Sequence, residues 1–200
     1  MALKSNFKAD LKKEKQLHLL LDSCYSSKLK HYTFKRITDI NSQHKGIDVV
    51  FNHKEKAISY LIDEKAQLDY IDEDLPTFAF ELSYLKNGIE KEGWLFDQRK
   101  KTDFYALITA IYAEEKEKFS HCKITLVNRK KLVAFLIQKG IHKESDFLKV
   151  KTHGKHDIAT LNQKKEGYLY YSKNNKSEQP INLILRLDYL IKHKLAKRLV

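Results

Sequence analysis

Two short runs rich in β-branched residues, 46–51 (GIDVVF) and 57–67 (AISYLIDEKAQ), are separated by only five polar residues, Asn52-His53-Lys54-Glu55-Lys56. Val, Ile and Tyr suit a pleated strand. So short a polar link predicts that the second strand folds back antiparallel on the first. The hairpin carries an electrostatic problem with it, because Asp48 lies inside the first run and Asp63 inside the second, fifteen positions later. A carboxylate withdrawn from water is costly unless it is paired or holds a metal. Alternate residues of a strand share a face, so Asp63, Lys65 and Gln67 are expected to project together, with Glu64 turned the other way.

In an antiparallel pair Asp48 can lie across from the Asp63 end, which gathers two carboxylates and an ammonium in one place. Oxygen ligands of this kind suit Mg²⁺ or Mn²⁺. Such an ion would polarise a phosphodiester and acidify a bound water, and Lys65 would orient that water or stabilise developing charge. Asp48, Asp63 and Lys65 are therefore the candidate catalytic residues, with Asp48 and Asp63 as metal ligands. Glu81, in the apolar run 77–84 (TFAFELSY), is a candidate for a further ligand. Gln67 and Glu14 are candidates for supporting the ligands from behind.

Elsewhere the pattern predicts alternating helices and strands. Phe7, Leu11, Leu21 and Tyr25 recur at helical spacing, with Glu14 and His18 interrupting the stripe. Residues 77–84, 102–112 and 123–127 read as strands. Asn128 and Gly140 bracket a helix as cap and stop. Residues 167–173 (GYLYYSK) read as a strand, and the tail from Ile181 begins as a strand or buried helix and ends as a basic amphipathic helix, LDYLIKHKLAKRLV. Trp94 is expected to anchor its loop on the core, Asp103 to sit at a strand end or in a turn, and most of the histidines to lie at the surface.

With 200 residues and 42% hydrophobic content the chain can build one domain with a real core. That reading gives a catalytic core over roughly residues 5–140 and a C-terminal extension over roughly 141–200. No apolar run approaches the roughly 18 residues of a membrane-spanning helix, and lysines break the N-terminal stretch, so the expectation is a cytoplasmic protein without membrane partners. Cys24 and Cys122, distant in sequence, suggest reduced core thiols rather than a disulfide framework or zinc site. The 38 Lys and Arg against 26 Asp and Glu give a formal net charge of +12, which attracts polyanions.

Asp48 followed by the Asp63-Glu64-Lys65 element resembles the PD-(D/E)XK nucleases, the restriction-endonuclease-like superfamily. Ile47 stands where the motif's name has proline, and the second acid is aspartate. The resemblance covers roughly Phe7 to Tyr112. It implies an α/β fold with a restriction-endonuclease-like mixed central sheet flanked by helices. By the same resemblance the two acids bind metal, the lysine assists the attacking water, and the activity is Mg²⁺- or Mn²⁺-dependent endonucleolytic hydrolysis of nucleic acid, DNA in the first instance. Restriction enzymes commonly dimerise on symmetric sites, so a homodimer stays open, although the sequence carries no dimer signature. Two alternatives remain: a non-catalytic nucleic-acid-binding protein on the same fold, and an interaction protein that uses the basic C-terminal helix.

Overall fold

The computed structural model describes residues 7–115, 118–174 and 178–200. They form a mixed α/β protein with one mixed and one antiparallel sheet, and they divide into two compact units. One unit comprises the described residues up to Leu75, together with Lys100–Arg129 and Ala196–Val200; the other comprises Pro76–Arg99 and Lys130–Leu195.

The first unit is built on the expected hairpin. β1 (Tyr32–Arg36), β2 (Val49–His53) and β3 (Ser59–Ala66) form an antiparallel meander. β6 (Phe104–Glu115) runs parallel to β3, β7 (Lys118–Asn128) returns beside it, and β11 (Ala196–Arg198) closes that edge. A parallel neighbour requires a long crossover, which residues 67–103 supply. α1 (Phe7–Lys28) sets Leu17, Leu21 and Tyr25 at four-residue spacing. They are buried with Val49, Phe51, Ile62, Ile108 and Ile124 in one apolar core. α1 also brings Cys24 beside Cys122 of β7, a pairing that the sequence separation concealed. Both are free thiols, and burial, then the charge of Cys24, pushes Cys122 up to about 12.

β1 falls in a stretch for which the sequence pattern predicts no strand. Its tyrosine, threonine and phenylalanine alternate with burial on one face only, and the two basic residues at its end hid the period. A short helix, α2 (Ile40–His44), leads from it to the hairpin, with the Asp39 carboxylate accepting the Ser42 N–H at 2.8 Å.

The second unit is an antiparallel sheet of β5 (Ile89–Glu92), β4 (Thr77–Lys86), β10 (Ile181–Arg186), β9 (Gly167–Tyr171) and β8 (Gly154–His156), in that order. Its strands bury alternate residues, among them Phe78, Phe80, Leu169, Leu183 and Leu185. Leu132 and Leu136 of α3 (Arg129–Gln138) are also buried. Trp94 rests on Phe80, ring centroids 5.5 Å apart, as expected of a loop anchor. The basic amphipathic C-terminal helix is not formed. α4 spans only Leu187–Lys192, with Leu187, Tyr189 and Leu190 buried, and the chain then turns at Lys194 (φ 57°) into β11. Pairing with β7 satisfies backbone groups that a continued helix would have left without a ladder. Among the described residues no helix is long and apolar enough to cross a membrane.

Candidate functional site

The site forms where β2 ends before its neighbour does. Val49 pairs with Ile62, so the next position sets Asp48 opposite Asp63, while β3 continues to Ala66. Past Ile62 the β2 side of β3 lacks a strand, and the Asp48 carboxylate takes its place by accepting the Glu64 N–H at 2.8 Å through Oδ2. The Asp48 backbone is fixed on both sides. Its N–H donates to Ile62 O and its carbonyl accepts from Ile37, each at 2.8 Å.

Asp63 is 1% exposed. Its Oδ1 accepts the Lys65 ammonium at 2.5 Å, and its Oδ2 is buried without a hydrogen-bond partner among the described residues. The Asp48 carboxyl is pushed up to about 7, first by burial and next by the charge of Asp63, with Lys65 pulling the other way. Two adjacent carboxylates that cannot both ionise freely compete for a proton or require a cation. The structure thus brings Asp48, Asp63 and Lys65 together as the strand pattern predicted.

Gly46 closes over this group. It takes a left-handed conformation (φ 71°), and a Cβ there would collide with Thr102 Oγ1 and come within 3.1 Å of Asp63 Oδ2. The buried Thr102 hydroxyl donates to Gly46 O at 2.8 Å and holds the loop down. Neither residue stood out in the sequence, although a glycine two positions before a buried acid is the available signal. Asp103 is a strand-end residue as expected; its carboxylate accepts the Leu61 N–H at 2.8 Å.

Glu64 faces the opposite way, toward α1. Its side chain is 8% exposed and bound to Arg36 Nη1 at 2.7 Å. It also accepts from Tyr25 Oη at 2.7 Å and lies 3.9 Å from His18 Nε2. Arg36 donates in addition to Asp22 at 2.7 Å. Burial, followed by the charges of Glu64, raises the Tyr25 hydroxyl well above its ordinary value. His18 is lowered by burial and then by Arg36. A cavity of about 540 Å³ reaches both groups at the end of β2, with His18, Arg36, Thr38, Asp48, Glu64 and Lys65 among its walls.

Gln67 follows the end of β3 and donates its N–H to Ile108 O at 3.0 Å. Glu81 belongs to the other unit, on β4 across from Asn182, and the Glu14 side chain lies outside the described residues. Among the described residues no group of three or more His, Cys, Asp or Glu side chains is placed to hold a metal. Comparison with protein-family models, with curated proteins and with solved structures finds no match.

Proposed function

We propose that Asp48, Asp63 and Lys65 are the active centre of a divalent-metal-dependent nuclease of the PD-(D/E)XK type, acting on DNA. The observation that carries this reading is the buried, unpartnered Oδ2 of Asp63 beside a second carboxyl whose proton is retained to near neutrality. A pair of carboxylates fits Mg²⁺ or Mn²⁺, which are commonly held by one or two protein carboxylates with water and substrate phosphate completing the shell. When bound, the cation supplies the charge that polarises the phosphodiester and acidifies a water.

The chain's own groups do the rest. Asp48 uses Oδ2 to hold the end of β3 in register, which leaves Oδ1 to carry or release the proton. Lys65, held at 2.5 Å by Asp63, brings a positive charge to the phosphate or orients the attacking water. The net charge of +12 draws a polyanion to the molecule. The test incubates supercoiled plasmid, single-stranded DNA and RNA with the protein in Mg²⁺, Mn²⁺ or EDTA. Metal-dependent cleavage that is lost in Lys65→Ala is expected; equal activity in the two proteins would sink the assignment. A second reading, a nucleic-acid-binding protein without cleavage, rests on the net charge of +12, and an inert wild type with retained binding would establish it.

A further inference from the structure

The strands of the second unit alternate, and the face opposite their buried residues has a composition of its own. Tyr168 and Tyr170 project from β9 on this face, both partly exposed and two residues apart, about 7 Å along the strand. Asn182 and Ile184 of β10 lie directly across from them, and Ala79 of β4 lies across from Ile184. Ala79 is exposed. So small a side chain at a mid-sheet position reaches solvent only where the face is open. Lys155 of β8 pairs with Tyr170 and sets its ammonium 4.8 Å from the ring centre of Tyr168. His153 packs edge-on against Tyr170, centroids 5.7 Å apart. The segment Lys130–Leu195 carries 14 Lys and Arg against 6 Asp and Glu, with Lys151, Lys164, Lys165 and Lys173 exposed around β8 and β9.

We infer that this face is a stacking platform for single-stranded nucleic acid, with Tyr168 and Tyr170 each taking a base and Lys155 taking a phosphate. Two aromatic faces at strand spacing, a cation beside them and an amide opposite are the elements that bind unpaired bases with little sequence preference. Lys155 is exposed on a flexible stem, so it can leave the Tyr168 ring to a base while its charge stays beside the backbone. The acids near the face locate the strand's path. Glu81 of β4 pairs directly with Asn182 of β10, Asp188 is forked by Arg186 at 3.0 and 3.1 Å, and Asp157 and Glu166, at the ends of β8 and β9, accept from Gln163 Nε2 and the Asn162 N–H at 2.6 and 2.9 Å. The polyanion therefore runs along β8 and β9, away from β4. The site is separate from the aspartate pair and requires no metal.

The experiment measures fluorescence anisotropy of labelled oligo(dT) and oligo(U) with the full chain in EDTA, so that cleavage cannot intervene, and with a matched duplex. Single strands should bind more tightly than the duplex. The double variant Tyr168→Ala/Tyr170→Ala should weaken single-strand binding at least about tenfold, and the corresponding double Phe variant, which keeps both rings, should bind as wild type. Lys155→Ala should reduce the slope of log affinity against log salt by about 0.7. Binding is read in EDTA, where the proposed metal-dependent cleavage is off, so the outcome of this test does not depend on the nuclease assignment. Binding within twofold of wild type in the double Ala variant, or a duplex bound as tightly as the single strands, would overturn it. If the double Ala variant fails to fold, an unchanged salt slope in Lys155→Ala would do the same.

Discussion

Asp63 and Glu64 are consecutive acids on one strand, and the two faces of β3 treat them in opposite ways. Glu64 has both oxygens engaged, by Arg36 and Tyr25 on the α1 side. Asp63 has one oxygen on Lys65 and one without a hydrogen-bond partner, beside another carboxyl. A satisfied buried charge is a structural member, since its partners already repay its desolvation. An unsatisfied one is a cost the fold carries, and such costs gather where binding or chemistry relieves them. The degree of satisfaction, rather than burial or charge, separates the two acids.

The largest expected effect tests the structural side. Glu64→Ala removes the partner of a half-buried arginine and should cost about 3–5 kcal/mol of stability, read as a lowered midpoint in urea unfolding. A loss under about 1 kcal/mol, the scale of a surface ion pair, would put Glu64 in the same class as its neighbour. Next comes Lys65→Ala, for which cleavage should fall by about 10²–10³, the range for removing one charge-stabilising donor. Its stability loss should be smaller than that of Glu64→Ala at pH 6, because the two aspartates can share a proton, and should grow toward pH 8. A pH-independent loss would mean that Asp63 and Asp48 do not exchange one.

Asp63→Asn removes the charge conflict and the proposed metal ligand together. The rise in Tm that Mn²⁺ gives wild type should vanish, while the apo protein is no less stable; a variant that still responds to Mn²⁺ would place the metal elsewhere. The smallest effect concerns pH. Asp48 is raised from 3.8 to about 7 in the folded protein, so between those values the folded state holds more protons than the unfolded one, and its stability falls as pH rises through that window. In the proposed site a divalent ion would take the place of the lost proton, so a Mn²⁺-induced Tm shift should be larger at pH 8 than at pH 6. Equal shifts at both would detach Asp48 from the metal.

The hairpin and its register were legible because they are local: apolar alternation, a five-residue link and side-chain direction follow from neighbouring positions. The separation of Glu64 from Asp63 and Lys65 came from the same rule. What fixed Glu64 in place was not legible, since Arg36 lies 28 residues away on a strand whose basic end masked its period. Residues 77–84 read correctly as a strand, yet their sheet is decided by β10, about a hundred residues later, and no local pattern encodes that choice. The tail misled for a related reason. Its helical spacing ends in residues that the free edge of β7 recruits, and the propensity of a short segment yields to the backbone bonds an open edge offers.

Among the described residues the chain moves from one unit to the other four times, at Leu75–Pro76, Arg99–Lys100, Arg129–Lys130 and Leu195–Ala196. No single cut at these joints separates the two sheets, and cutting at Arg99–Lys100 or Arg129–Lys130 leaves neither sheet whole. Residues up to Leu75 contain β1 to β3 but not β6, and the β4–β5 hairpin without β9 and β10 lacks its neighbours. Gene fragments made to isolate either unit would therefore expose unpaired strand edges and aggregate. A rearranged gene could restore contiguity: joining residue 75 to residue 100 through a short linker would write the mixed sheet, up to Arg129, as one uninterrupted reading frame.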